Sequence, residues 1–74
     1  MRIIIVGAGK VGLALTQQLS KENQVTVIDH NYHLIDNIIN IHDVMGVCGN
    51  GAIYEVQKEA EAEKADLLIA TTSS

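Results

Sequence analysis

Three glycines and one aspartate are the residues whose types and spacing most clearly indicate chemistry. Gly7, Gly9 and Gly12 form a G-x-G-x-x-G motif directly after the apolar run 3–6. Asp29 follows Gly7 by 22 residues, at the end of a second apolar run. In this pattern the glycine turn offers backbone N–H groups to a pyrophosphate, and the acid accepts hydrogen bonds from ribose hydroxyls. The motif therefore predicts a dinucleotide-binding site.

Each glycine has its own expected role. Gly7 allows a sharp turn out of the strand, Gly9 lacks the Cβ that would hold a pyrophosphate away, and Gly12 lets the helix lie close to the sheet. The N–H groups and the dipole of the helix start then favour phosphate. Lys10 could add a positive charge, although a solvated first-turn lysine is the simpler interpretation. A turn used only for packing is the alternative, and the spacing to Asp29 disfavours it.

The acid also bears on the choice of nucleotide. A carboxylate at Asp29 would repel a 2′-phosphate. The next two residues are His30 and Asn31, so there is no arginine at these positions to bind one. NAD(H) is therefore expected rather than NADP(H). ATP and ADP carry the same free ribose hydroxyls, so they stay open as ligands. Asp29 could also cap the second helix, with or without a role in binding.

The bulk properties describe a small acidic chain that is rich in aliphatic residues. It has 74 residues and a net charge of −4, which argues against non-specific binding to nucleic acid. The first apolar run is too short for a signal peptide, and no stretch approaches the length that crosses a bilayer. We expect a cytoplasmic domain that would serve a membrane only peripherally, from its inner face. The single cysteine, Cys48, is expected to be small and buried at a strand end.

Alternating apolar and amphipathic segments predict a β-α-β-α-β-α-β order. The predicted strands are 2–6, 24–28, 44–48 and 66–70, and the predicted helices are 10–21, 32–40 and 52–60, with Asn31 as the N-cap of the second helix. Right-handed crossovers then give a Rossmann-like α/β fold with a parallel sheet of order 3-2-1-4 and a crevice beside the first strand. A doubly wound fold usually continues for two more strands, so residues 1–74 are expected to be the first part of a larger domain.

Helical spacing also predicts which side chains each helix buries. The buried set of the first helix is predicted to be Val11, Ala14, Leu15, Gln18 and Leu19. The sets of the second and third helices are predicted to be Leu34, Ile35, Ile38 and Ile39, and Ile53, Val56 and Ala60.

The sequence resembles the TrkA-N family, the N-terminal nucleotide-binding (regulator of potassium conductance) domains of Trk potassium-uptake regulators. The resemblance covers essentially the whole chain and rests on the segments 1–12, 25–29, 47–51 and 65–74. It implies that the loop 48–51 lies near the adenine end of the nucleotide. It also implies that Thr71 and Thr72 lie towards the phosphates or the nicotinamide.

The motif and the resemblance together give the expected site. The predicted cofactor-binding residues are Gly7, Ala8, Gly9, Lys10, Val11, Gly12, Asp29, His30, Cys48, Gly49, Asn50, Thr71 and Thr72. Without the resemblance, Asn50 and its flanking glycines would be interpreted as an ordinary turn, and the two threonines as ordinary loop residues. The three histidines lack the spacing of a zinc site, so no metal is predicted.

The resemblance implies a regulatory domain rather than an enzyme. Such a domain would sense NAD(H), or ATP and ADP, and control a membrane potassium transporter subunit. The alternative is the cofactor-binding fragment of an NAD-dependent dehydrogenase, and a weaker one is an oligomerisation module that does not bind nucleotide. An uncovered sheet edge also predicts a homodimer or a higher homo-oligomer.

Overall fold

Four parallel strands form the sheet in the order β3-β2-β1-β4, which confirms the predicted topology. The computed structural model describes residues 1–71. The strands are β1 Arg2–Val6, β2 Gln24–Asp29, β3 Met45–Cys48 and β4 Leu67–Ala70. The helices are α1 Lys10–Leu19, α2 Tyr32–Ile41 and α3 Tyr54–Glu59, and a short 3-10 helix that was not predicted covers Ala62–Lys64.

The two central strands are buried on both faces, as expected for a parallel sheet covered by helices. On one face, alternate residues of β1 and β2 pack against α1 and α2 and form the larger core. On the other face, Ile4, Ile28 and Val47 pack with Ala60, against Val56 of α3. The layers therefore place α1 and α2 on one side of the sheet and α3 on the other.

The buried face of α1 differs from the prediction. Leu15 and Leu19 are partly buried and pack against the core, as predicted. The fully buried residues are Gly12 and Thr16, whereas Val11 is 63% exposed and Ala14 and Gln18 are exposed too. The reason is the close approach of Gly12 to the backbone of the preceding turn, which fixes the rotation of the helix about its axis. Apolar periodicity alone does not include that contact.

Other predictions for the helices and for β3 are confirmed in part. Asn31 caps α2, as predicted, and Leu34, Ile35 and Ile38 pack in the core. Ile39 and Ile53 are exposed instead of buried. Cys48 is also exposed, which corrects the expectation of a buried thiol. Its strand, β3, is an edge of the four-stranded sheet, so its end is less covered than the central strands are.

Within the part of the chain that the structure describes, no helix combines the length and the apolar character needed to cross a membrane.

Candidate functional site

The strands end together at one edge of the sheet, and a cleft of about 700 Å³ opens there. Four chain segments meet around it: the β1–α1 turn, the β2–α2 connection, the loop after β3, and Thr71 after β4. The cleft is lined by Val6, Gly7, Gly9, Lys10, Val11, Ile28, Asp29, His30, Asn31, Leu34, Gly49, Asn50, Gly51 and Thr71. Ligands of open α/β sheets bind at this edge, where the strand order reverses.

The β1–α1 turn shows why glycine occupies its positions. Gly7 has a φ of +117°, a conformation that L side chains rarely adopt. A Cβ on Gly12 would collide with the carbonyl of Gly7, so only glycine lets α1 begin this close to the turn. A Cβ on Gly9, in contrast, would have no atom within 4 Å, and this residue lines the cleft. Gly7 and Gly12 are therefore needed by the fold, whereas the fold places no steric demand on Gly9.

The start of α1 presents unpaired donors to the cleft. Within residues 1–71, the backbone N–H groups of Gly9, Lys10 and Val11 donate to no acceptor. The N-cap residue is Gly9 itself, which has no side chain to cap them, and the first turn of α1 contains no acidic residue. All three residues line the cleft. The positive end of the helix dipole is thus left without a neutralising group from its own helix, which favours an anion there.

Asp29 connects two of the segments around the cleft. One carboxylate oxygen accepts from the N–H of Ala8 at 2.8 Å, and the other accepts from the N–H of Asn31 at 2.8 Å. Its side chain is 12% exposed. The Nδ1 atom of His30 lies 3.5 Å from the second oxygen, and the imidazole is exposed. A carboxylate has about four lone-pair positions, so these two backbone bonds leave acceptor capacity for ribose hydroxyls.

The loop after β3 is held by hydrogen bonds within it, by one from α3, and by the N–H of Gly49, which donates to the carbonyl of Asp29 at 2.9 Å. The side-chain oxygen of Asn50 accepts from the N–H of Ala52 at 2.9 Å, and the side-chain amide of Gln57 donates to the carbonyl of Gly51 at 2.9 Å. The Sγ atom of Cys48 lies 3.6 Å from the carbonyl oxygen of His30, outside the cleft lining. The Asn50 side chain therefore shapes the loop, as the turn interpretation proposed.

Thr71 lies where β4 ends, beside the glycine turn. Its N–H donates to the carbonyl of Val6 at 2.7 Å. Its hydroxyl donates to the same carbonyl at 3.0 Å and lies 3.4 Å from the carbonyl oxygen of Gly7. These contacts join the end of the fourth strand to the turn that follows the first.

The structure brings most of the predicted site residues together, but not all of them. Ala8, Gly12 and Cys48 are outside the cleft lining: Ala8 and Gly12 are buried, and Cys48 is exposed beside His30. Thr72 lies outside the described residues.

Four lining residues were not predicted, namely Val6, Ile28, Asn31 and Leu34. Gly51 also lines the cleft; it is not among the predicted cofactor-binding residues, but it lies in the loop 48–51 that the resemblance implies is near the nucleotide. The two strand residues stand at or next to the ends of β1 and β2, and Asn31 follows the acid by two positions. Val6 and Ile28 could have been predicted from their positions at the carboxyl ends of adjacent parallel strands.

A second depression, of about 530 Å³, lies at the opposite edge of the sheet. The starts of the strands line it, together with Ser20, Asn23, Asp43 and Glu61. The guanidinium of Arg2 lies 3.8 Å from the carboxylate of Glu61 there, and both side chains are about half exposed. An exposed pair of this kind contributes little to stability, and this edge is not where open α/β sheets bind ligands.

Comparison with known proteins agrees with this architecture. The TrkA-N domain family matches residues 3–74. The Trk system potassium uptake protein TrkA of Haemophilus influenzae is 37% identical over 75 residues, covering 100% of this chain and 16% of the relative. The protein of the same name from Halomonas elongata is 39% identical over 75 residues, with the same two coverages, 100% and 16%. The TrkA homolog of Archaeoglobus fulgidus is 34% identical over 74 residues, covering 100% of this chain and 17% of the relative.

The chain thus spans 16 or 17% of the length of these relatives. The match extends over nearly all of the sequence, including the glycine turn, the acid and the fourth strand. The chain belongs to the TrkA-N domain family.

Proposed function

We propose that this chain binds NAD(H) in the cleft at the carboxyl edge of the sheet and acts as a regulatory domain. The observation that carries the proposal is the start of α1, where three residues with unpaired N–H groups line the cleft. The fold supplies no acceptor for them among the residues described. A pyrophosphate supplies oxygen acceptors and negative charge together, so it suits this position.

The residues around the cleft fit a dinucleotide. The open space beside Gly9 allows a phosphate to approach the backbone closely. Lys10 lines the same part of the cleft and adds a positive charge. Asp29 lies on the wall formed by the β2–α2 connection, where its remaining lone pairs would accept from the adenosine ribose. The bound nucleotide would bring its own redox state, which is the quantity that the domain would sense.

The charge of Asp29 favours NAD(H) over NADP(H). A 2′-phosphate in its place would meet a carboxylate that is only 12% exposed and therefore weakly screened. Lys10 belongs to the glycine motif, in the part of the cleft proposed for the phosphates. Near Asp29, the β2–α2 connection contributes no lysine or arginine to the lining, so nothing there would neutralise a 2′-phosphate. ATP and ADP share the adenosine ribose with NAD(H), so the experiment below includes them.

The proposed regulatory role is supported by membership of the TrkA-N family and by relatives that are named as potassium uptake proteins of the Trk system. This chain would pass its nucleotide state to a membrane potassium transporter subunit, from a peripheral position at the cytoplasmic face. A nucleotide changes such an assembly only when it binds one conformation better than another. These names favour a regulator, without catalysis of its own, over a dehydrogenase fragment.

A homodimer or a higher homo-oligomer is part of the same proposal. β4 is an edge strand, and the side chains of Leu67 and Leu68 on it are nearly half exposed. Apolar side chains on an edge strand favour covering by another chain or chain segment. Size measurement with and without nucleotide tests this part separately.

The deciding experiment is calorimetric titration of NADH, NAD⁺, NADPH, ATP and ADP into the chain and its Gly9→Ala variant. The added methyl group meets no protein atom within 4 Å, so it occupies only the space that a phosphate would need. We expect NADH to bind, NADPH to bind at least tenfold more weakly, and Gly9→Ala to lower the NADH affinity by at least about tenfold. Its unfolding midpoint should stay the same or rise slightly, because Gly9 has a φ of −75° that alanine accepts.

Gln17→Ala is the matched control, since Gln17 is exposed on the same helix and outside the cleft lining. It should bind NADH as the wild type does. Binding of ATP or ADP in preference to NADH would replace the proposed signal while keeping the site. Absence of binding by every nucleotide, or equal binding by wild type and Gly9→Ala, would contradict the proposed site.

A further inference from the structure

Thr71 is the residue through which the fourth strand contacts the glycine turn. Its N–H and its hydroxyl both donate to the carbonyl of Val6, at 2.7 and 3.0 Å. The hydroxyl is also 3.4 Å from the carbonyl oxygen of Gly7, so its single proton is shared between two successive carbonyls. Both carbonyls belong to the residues at which the chain leaves β1.

The same hydroxyl fills the space beneath the two glycines that the fold requires. A Cβ on Gly7 would collide with the Oγ1 atom of Thr71, and a Cβ on Gly12 would lie 3.2 Å from it. The hydroxyl therefore packs against the inner side of the turn while it hydrogen-bonds the turn's carbonyls. A side chain in this position restricts the orientation of the peptide groups that follow Gly7.

A second side chain holds the turn from β2, the strand on the other side of β1 from β4. The carboxylate of Asp29 accepts from the N–H of Ala8 at 2.8 Å, and the N–H of Gly7 donates to the carbonyl of Ile28 at 2.7 Å. The turn is thus fixed from the end of β2 on one side and from the end of β4 on the other. Beyond these fixed points come the N–H groups that face the cleft.

We propose that Thr71 is a positioning residue for the nucleotide site, acting through the carbonyls of Val6 and Gly7. Its hydroxyl orients the glycine turn so that the N–H groups of 9–11 point towards the phosphates. The inference rests on the proposed nucleotide binding and adds a role for the fourth strand in it. In this role Thr71 needs no contact with the nucleotide.

Two variants isolate the hydroxyl. Thr71→Ser and Thr71→Ala both lack the methyl group, and they differ only in the hydroxyl. Titrated with ADP and with NADH, Thr71→Ser should bind close to wild type, and Thr71→Ala should bind both nucleotides roughly two- to tenfold more weakly, the range for one lost neutral hydrogen bond. The two nucleotides should lose affinity equally, because they share the phosphates that the turn would hold.

A spectrum of the nucleotide-free protein separates positioning from direct contact. In ¹H–¹⁵N correlation spectra, Thr71→Ala should shift the amide signals of Gly9, Lys10 and Val11 before any nucleotide is added, and Thr71→Ser should not. A residue that acts only by touching the ligand would leave those signals unchanged in both variants. This measurement needs no binding data, so it stays informative if the affinities are too weak to titrate.

Thr16→Ala controls for general destabilisation. Thr16 is fully buried, and its hydroxyl donates to the carbonyl of Gly12 at 2.8 Å, but it lies outside the cleft lining. It should lower the unfolding midpoint and keep the nucleotide affinity within about twofold of wild type.

Three results would overturn the positioning role: equal affinities for Thr71→Ala and wild type, equal losses for Thr71→Ser and Thr71→Ala, or a loss in Thr16→Ala as large as that in Thr71→Ala. Wild type that binds no nucleotide would instead contradict the proposed function.

Discussion

The two long helices begin in different ways, although each has ten residues and follows a strand that ends at the same edge of the sheet. The side chain of Asn31 caps α2 by accepting from the N–H groups of His33 and Leu34 at 3.0 and 3.4 Å. α1 begins after Gly9, which has no side chain, and the N–H groups of Gly9, Lys10 and Val11, which line the cleft, are unpaired. The first N–H groups of α2 thus have a side-chain cap from the adjacent sequence, whereas those of α1 have none.

This difference is what we would expect if the fold holds an anion at the start of α1 and not at the start of α2. Every α-helix has unpaired N–H groups in its first turn, so a helix start alone identifies nothing. What distinguishes α1 is that the sequence omits the cap and places a glycine with free space beside it. In the ligand-free protein, a helix start without a cap is less stable than a capped one. A ligand that supplied the acceptors would recover that loss.

The largest expected effect tests the steric half of this comparison. Gly12→Ala puts a methyl group against the carbonyl of Gly7, which is backbone and cannot move aside easily. We expect the free energy of unfolding to fall by about 3 kcal/mol or more, measured by urea unfolding. Gly9→Ala, the same change three residues earlier, should not destabilise the protein. Equal losses in the two variants would show that the two glycines are not separable in this way.

A smaller effect tests the cap of α2. Asn31→Ala removes the acceptor of two N–H groups and should lower the free energy of unfolding by about 1 kcal/mol. Asn40→Ala is the control: its side-chain amide donates to the carbonyl of Asp36 at 2.8 Å near the other end of the same helix, and it is exposed. That variant should stay within about 0.5 kcal/mol of wild type. Similar losses at the two ends would mean that α2 has no special dependence on its cap.

The smallest effect tests the charge beside the open helix start. Lys10 and Lys21 are both exposed, and they flank α1 at its two ends. Lys10→Ala should weaken ADP binding by roughly two- to fivefold at low salt, and less as salt screens the charge, whereas Lys21→Ala should leave it unchanged. Both variants have the same net charge. Calorimetry on the pair therefore separates a local contact of Lys10 with the nucleotide from the effect of the overall charge of the protein. Equal weakening would attribute the effect to net charge.

The sheet order and the edge that carries the cleft could be predicted from the sequence. Strands that alternate with helices must be parallel, and right-handed crossovers then leave few topologies. Gly7, Gly9 and Asp29 are expected at the carboxyl ends of β1 and β2 for the same reason, and the structure brings them to one cleft. The cap at Asn31 could also be predicted, because its partners are two and three residues away.

The features that could not be predicted depend on backbone contacts or on the assembled sheet. The face that α1 buries is set by the approach of Gly12 to Gly7. Apolar spacing was right for Leu15 and Leu19, which pack against the core, but wrong for Val11. Cys48 is exposed because its strand is an edge, which is a property of the assembled sheet. Thr71 donates to carbonyls 64 and 65 residues earlier, so no local pattern could assign its partners.

The central position of β1 has a consequence for how the chain is made. β1 is synthesised before the other three strands of this sheet, and β2 follows it soon, but its other neighbour, β4, comes last and pairs Leu67 with Ile3. Contacts between such distant residues slow folding, because a long loop must close before they form. The turn between β1 and α1 lacks the Thr71 contact until the fourth strand docks. If the glycine turn binds phosphate as proposed, a nascent chain should acquire that affinity late, when β4 docks against β1.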